Sequence, residues 1–456
     1  MLGNTTTEHW SGRAAFVLAS IGAAVGLGNI WKFPYTVGSS GGSAFVLVYL
    51  LAIVLIATPI MLSEMMIGRR AGASAPSAMR QLAIGAGGSG AWSIVGWMGL
   101  FALLLIFSFY SVIAGWTGAY LVKLLSGQLA GLSSDEVGER FGSFLHQPGP
   151  MIGWHVAFSL ATVFIVAKGI TAGLERVTAV LMPVLFIMLV ALVINSAFVG
   201  DFATTLEFLF TPDLTKITAP VVLAAVGQAF FSVNVGVGSV LTYAAYLPKE
   251  VNLTRSALTI SLGDTLVALL AGLAIFPIVF ANGLDPAEGP GLIFVTLSSA
   301  FAKMPAGDYL GAAFFLMILV AALTSSISML EAITARLGEV GGISRAVAAS
   351  IIGVISILLG LITVFSFSSW EHFYPLAGFD AFAQKTPFDL IDYLTANLLL
   401  PIGGMLYALF AGWWLSREIQ VDELGVGDGR LYSLWLVLVR FVAPLAVAAV
   451  FYANLR

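Results

Sequence analysis

The sequence predicts an all-α polytopic membrane protein, and three observations predict it. Of 456 residues, 59% are hydrophobic and 10% charged, against roughly 25% charged in a soluble domain. The apolar residues gather in eleven runs, most of them long enough for the roughly 20-residue helix that crosses a bilayer. These runs are apolar on nearly every face, as buried membrane helices are, and no long alternating pattern suggests a β-barrel.

The expected spans lie at about 11–38, 42–67, 91–125, 153–168, 174–198, 219–246, 255–281, 308–340, 344–363, 387–416 and 431–454. Between them, Ser133-Ser134-Asp135-Glu136 and Asp422-Glu423-Leu424-Gly425 read as polar turns. Residues 1–13 are polar and the run after them is too long for the core of a signal peptide. Cations near span ends set the orientation. With the N-terminus cytoplasmic, the inner loops carry Arg69, Arg70, Arg80, Lys168, Arg176, Lys249, Arg255, Arg345, Arg417 and Arg430. The outer loops carry Asp135, Glu136, Glu139, Asp201, Asp213, Asp285 and Glu288. Eleven spans then place Arg456 on the extracellular or periplasmic side of the inner (plasma) membrane.

The net charge of −4 gives no reason to expect nucleic acid as a partner, and the absence of cysteine excludes disulfides and zinc–thiolate sites. His9, His146, His155 and His372 lie in loops or near span ends, in no metalloprotease spacing, and there is no phosphate loop. No repeated selectivity filter is apparent. An intramembrane enzyme, an ATP-driven pump and an ion channel are therefore poor readings.

Two glycine-broken stretches lie five spans apart. The first span holds Gly22-Ala23-Ala24-Val25-Gly26-Leu27-Gly28-Asn29, and the sixth holds Ser232-Val233-Asn234-Val235-Gly236-Val237-Gly238-Ser239. A repeat of five spans forces the two halves into opposite orientations. Matched interruptions in such inverted repeats mark the transport site of a secondary carrier. An unwound helix leaves backbone groups unpaired, at several kcal/mol each in hydrocarbon, and ions or a carboxylate would satisfy them. The expected organisation is one transmembrane domain over 1–456, with repeats at about 11–198 and 219–416 and an extra helix at about 431–454.

His9-Trp10 and the stretch from Gly22 through Asn29-Ile30-Trp31-Lys32-Phe33-Pro34-Tyr35 resemble the first-helix signature of the neurotransmitter:sodium symporter family. Gly41-Gly42-Ser43-Ala44-Phe45 and Pro59-Ile60-Met61-Leu62-Ser63-Glu64 resemble its second helix. Gly227-Gln228-Ala229-Phe230-Phe231-Ser232 and Leu323-Thr324-Ser325-Ser326 resemble its sixth and eighth. The likeness runs in order from about residue 8 to 454 and implies a LeuT-type 5+5 inverted repeat with unwound first and sixth helices. The chain stops after eleven helices where the family usually has twelve.

The resemblance implies two sodium sites. One takes Ala24, Asn29, Ser232 and Asp264; the other takes Gly22, Val25, Ala321, Thr324 and Ser325. Residues 321, 324 and 325 share a helical face, and Asp264 is an acid inside an apolar span, where acids are functional by default. The implied substrate site is Ala23, Leu27, Gly28, Ile106, Tyr110, Phe231, Ser232, Asn234, Val237, Ser325 and Met329, with Tyr110 and the amides of Leu27 and Gly28 on the carboxylate. Asn234 suggests a polar substrate tail. Implied gates are Lys32, Asp392 and Gln228 outside, and Trp10, Tyr246 and the acid Glu339 inside; Thr7 stands where the family has arginine. Glu64 is expected to tie down the unwound sixth helix, outside the site.

Relatives that carry biogenic amines have an aspartate where this chain has Gly26. The resemblance therefore implies sodium-coupled import of a neutral amino acid by alternating access, with lipid bilayer, sodium and substrate as partners. A sodium-coupled carrier for GABA, betaine or another non-α amino acid is the second reading. Asp264 supplies a fixed negative charge, so chloride is not expected to be required.

Overall fold

A computed structural model describes residues 9–287 and 291–454. Thr7, Glu288 and Arg456 lie outside the described residues. Nine helices among those described are long and apolar enough to cross a membrane: Ser43–Ala71, Gly90–Leu125, Pro148–Ala167, Ile170–Val199, Leu253–Ala281, Gly307–Gly341, Arg345–Ser366, Pro387–Trp414 and Arg430–Tyr452. Two further runs are broken. Arg13–Ala24 and Gly28–Ser39 meet at a 49° bend. Ala219–Val233 and Ser239–Ala245 are separated by five residues containing three left-handed conformations, at Asn234, Gly236 and Gly238. Each of the eleven expected runs is thus helical, and the two glycine-rich interruptions are the two breaks.

Burial sorts the helices into centre and rim. The most apolar window of the third span is 83% buried within the protein and that of the eighth is 72%; those of the fifth and eleventh are 28%. The third and eighth spans pack along each other, and the N-terminal half of the first span rests against the fifth, seventh and eighth. The N-terminal half of the sixth packs on the second span and its C-terminal half on the second and eighth.

The structure corrects several loops. Ser133-Ser134-Asp135-Glu136 begins the helix Ser134–Leu145: Ser133 caps the Glu136 amide and the Glu136 carboxylate returns to the Ser133 amide. That reciprocal pairing is what a serine followed three residues later by glutamate encodes. Asp422-Glu423-Leu424 ends the helix Arg417–Leu424, stopped by left-handed Gly425. The fourth span starts five residues earlier than expected, at Pro148, a residue suited to a first helical turn. A short apolar helix, Leu292–Lys303, occupies what reads as the loop between spans seven and eight.

Candidate functional site

The two breaks face each other, and their hydrogen bonds account for the site. In an unbroken helix the Gly26 amide would close on the Gly22 carbonyl; here it donates to Asn29 Oδ1 at 3.2 Å. The Leu27 amide would close on the Ala23 carbonyl; it donates instead to the Tyr110 hydroxyl at 3.1 Å. The Asn29 amide goes to Gly26 rather than Val25. These diversions turn the carbonyls of Gly22 and Val25, two expected sodium ligands, away from their helical partners. The Ala23 carbonyl receives Ser325 Oγ at 3.0 Å and Asn234 Nδ2 at 3.4 Å.

The sixth-span break is held from outside the site. The Glu64 side chain, fully buried, accepts from the Gly236 amide. A side chain at Gly236 would place its Cβ 2.1 Å from the Leu400 carbonyl oxygen, so the break lies flush against the tenth span. Asn234 takes φ 57°, a left-handed conformation that asparagine tolerates better than most residues. Its presence is therefore explained by stopping the helix and reaching Ala23, without a polar substrate tail.

Three of the four residues expected at the first sodium site, Asn29, Ser232 and Asp264, converge. Asp264, fully buried, accepts from Asn29 Nδ2 at 2.7 Å and from Ser232 Oγ at 2.5 Å; Asn29 Nδ2 also lies 3.0 Å from Ser232 Oγ. Tyr49 reaches Ser232 at 3.1 Å, a second-span contributor that sequence reasoning missed. At the second site, Thr324 Oγ1 donates to the Ala321 carbonyl at 3.0 Å, and a Cβ at Gly22 would stand 3.2 Å from Thr324 Cβ. The eighth-span hydroxyls thus meet the end of the first helix.

A small cavity of about 20 Å³ lies between the breaks, room for roughly one water. Of the expected substrate residues, Gly28, Ile106, Tyr110, Phe231, Asn234, Ser325 and Met329 line it, joined by Ala24, Gly26 and Leu400. Ala23 and Leu27 do not line it, but their backbone groups bond Ser325 and Tyr110, which do, while Ser232 is engaged with Asp264. Val237 does not line it: its backbone lies against Gly99 of the third span. Leu400 was missed because its only signal is an apolar residue in an apolar helix.

The outer gate differs from the expectation. Lys32 and Asp392 share a cavity of about 270 Å³ above Phe231, with Trp31, Tyr35, Phe109 and Trp116 in its wall. Among the described residues they form no ion pair; the Lys32 ammonium sits 4.3 Å from the Phe231 ring centroid, a cation–π contact. Gln228 donates to the Gly28 carbonyl at 2.8 Å, bracing the restart of the first span.

The inner gate requires a correction. Trp10 Nε1 donates to the Tyr243 carbonyl at 2.8 Å and the Trp10 amide to the Tyr246 carbonyl at 3.2 Å. The Tyr246 hydroxyl then donates to Glu331, not Glu339, at 3.0 Å, and Arg345 pairs with Glu331 at 2.5 Å. Glu339 accepts from the Ser74 amide at 3.2 Å and faces Arg336 at 3.7 Å. Glu331 was findable, as an acid between Leu330 and Ala332 in an apolar run. Arg345, read only as a loop cation, provides a basic partner.

This gate yields a prediction. Arg345→Gln removes the cation paired with buried Glu331 at 2.5 Å, and breaking a buried pair costs about 3–5 kcal/mol. The inner side should open more often. The chain has no cysteine, so a single cysteine placed at buried Ala19 (A19C) reports it. Labelling from the side closed by Trp10 and Tyr246 should rise by about tenfold or more. Unchanged labelling would remove Arg345 from the gate.

Residues 7–138 and 139–455 match the model of the sodium:neurotransmitter symporter family. The chain belongs to that family. It is 38% identical over 446 residues to the uncharacterized sodium-dependent transporter YhdH of Bacillus subtilis, spanning 97% of this chain and 96% of that one. An uncharacterized sodium-dependent transporter of Haemophilus influenzae is 34% identical over 99% of both chains. The crystal structure of MhsT in complex with L-phenylalanine superposes with a TM-score of 0.90 at 40% identity, covering 98% of this chain and 99% of that one. The symporter is accordingly a multi-pass membrane protein with the LeuT-type fold, sodium-dependent, and a transporter rather than an enzyme.

Proposed function

We propose that this symporter imports a neutral amino acid together with two sodium ions by alternating access, without chloride. The observation that carries the reading is the pairing at the first-span break: the Leu27 amide on the Tyr110 hydroxyl, beside an apolar wall of Ile106, Phe231, Met329 and Leu400. A substrate carboxylate inserted there meets a helix N-terminus and a hydroxyl donor, while its amine faces the Ala23 carbonyl. The L-phenylalanine bound by MhsT supports the same class of substrate.

The chemistry of each group follows. Ala24, Asn29, Ser232 and Asp264 would hold one sodium, with the Asn29 and Ser232 groups turning from Asp264 toward the ion. Gly22, Val25, Ala321, Thr324 and Ser325 would hold the other with neutral oxygens. Two cations and a zwitterion in a low-dielectric midplane need negative charge nearby, and Asp264 supplies it in place of an anion. Because the cavity is small in this conformation, substrate entry requires Phe231 and the outer halves of the first and sixth spans to move. The Trp10–Tyr246–Glu331–Arg345 network closes the inner side meanwhile. The N-terminus is taken as cytoplasmic in the plasma membrane, following the loop charges.

The testing experiment is a thermal-stability panel of the twenty amino acids with and without sodium. A ligand of the folded state raises stability with its concentration. Neutral apolar amino acids should stabilise the protein only when sodium is present. Stabilisation by glutamate or lysine in preference would overturn the reading.

Tyr110→Phe should weaken substrate binding about ten- to hundred-fold, because a hydrogen bond to a charged group contributes about 1.5–3 kcal/mol. Expression should change little. Unaltered affinity, measured by equilibrium binding of the labelled amino acid, would place the carboxylate elsewhere.

A further inference from the structure

A second binding feature lies away from the transport path, where the fourth and fifth spans meet. The fourth span, Pro148–Ala167, ends at Lys168, and the fifth, Ile170–Val199, begins two residues later. The turn brings Lys168 and Arg176 to the wall of one cavity of about 360 Å³, together with Phe164, Ile165, Gly173 and Val180. Both cations are exposed, and among the described residues neither forms an ion pair. Lys168 instead stands 4.0 Å over the Phe164 ring. The neighbouring acid, Glu175, is not in the cavity wall: its carboxylate accepts from the Ser11 amide and hydroxyl at the foot of the first span. Two cations therefore share a pocket that contains no carboxylate.

The surface beyond the pocket is apolar. Phe164 of the fourth span is 61% exposed, and Val180 and Ile187 of the fifth are 59% and 69% exposed; the most apolar windows of these two spans are only 33% and 28% buried. A soluble anion would use the cations and leave this surface unused. A phospholipid would use both, with its phosphate at the span ends and its chains along the groove.

We propose that this pocket binds the headgroup of an anionic phospholipid in the leaflet that surrounds the junction of spans four and five. Basic pockets between membrane helices recognise such headgroups by charge, and each cation near the surface contributes measurably. The proposal is independent of the substrate and rests only on the two helices being membrane spans. Glu175 lies next to Arg176 and holds Ser11, so the headgroup would sit one residue from the tether of the first span.

The test is native mass spectrometry of the purified symporter released from nanodiscs of equal phosphatidylglycerol and phosphatidylcholine. Wild type should retain phosphatidylglycerol preferentially. A Lys168→Gln, Arg176→Gln double variant should lose the preference by roughly 30-fold, whereas Lys249→Gln, Arg255→Gln, which removes two inner-face cations elsewhere, should keep it. The charge-preserving Lys168→Arg, Arg176→Lys variant should also keep it, which separates loss of binding from loss of fold. Absence of preference in wild type would overturn the proposal. So would an equal loss in the Lys249, Arg255 control, or competition by inorganic phosphate as effective as that by the lipid.

Discussion

Removing the hydroxyls of Thr324 and Ser325 together, in a Thr324→Ala, Ser325→Ala variant, is expected to raise the sodium concentration for half-maximal uptake by about a hundredfold or more. Each hydroxyl is one of five oxygens proposed for the second sodium, and an oxygen–charge interaction contributes about 1.5–3 kcal/mol. Folding should suffer little. Thr324 Oγ1 donates to carbonyls of its own helix, Ala321 at 3.0 Å and Val320 at 3.3 Å, bonds that add little to a helix already formed, and alanine is the better helix former. Ser325 loses one bond to the Ala23 carbonyl. Sodium-dependence curves of uptake in proteoliposomes, beside thermal unfolding of the same preparation, measure both quantities. A wild-type sodium curve in a well-folded variant would remove these hydroxyls from the ion site.

Gly26→Asp is expected to abolish amino-acid binding, by about a hundredfold or more. The first reason is steric. A Cβ at residue 26 would stand 2.4 Å from the Tyr110 hydroxyl, closer than atoms approach without one of them moving, and 3.0 Å from Ser325 Cβ, a tight contact. The second is electrostatic. A carboxylate at this position would face the place proposed for the substrate's own carboxylate, and like charges several ångströms apart in low dielectric repel by several kcal/mol. Gly26→Ala separates the two: it keeps the crowding and lacks the charge, so it should weaken binding less than Gly26→Asp. Saturation binding of a labelled neutral amino acid reads both variants. Near-wild-type affinity in Gly26→Asp would show that the carboxylate does not lie beside Tyr110.

The membrane helices were plain in the sequence because hydrocarbon imposes a length and an apolarity that few soluble segments meet. The two breaks were plain for the complementary reason: glycine and asparagine inside such runs mark backbone that another group must satisfy. Asp264 stood out as an acid in an apolar span, and the structure puts it within hydrogen-bond reach of Asn29 and Ser232.

Three kinds of feature are not legible in the sequence. Leu400 and Tyr49 reach the site from the tenth and second spans, and no local pattern distinguishes an apolar or aromatic residue at a site from one in a core. The Glu331–Arg345 pair joins residues on consecutive helices. The acid carries the same signal as Asp264, but the family resemblance implies Glu339, two turns further along, in its place. The helix at Ser134–Leu145 was hidden for a different reason. Its capping serine and first-turn acids are also common turn residues, and only their spacing tells the two apart.

Gradient-driven uptake into proteoliposomes tests the central claim most directly. A labelled neutral amino acid chosen from the stability panel is offered with an inward sodium gradient, in chloride and again in gluconate. The account expects accumulation above the external concentration in both anions, and none when potassium replaces sodium. Uptake that persists without sodium would contradict sodium-coupled symport, and uptake that collapses in gluconate would contradict the role given to Asp264.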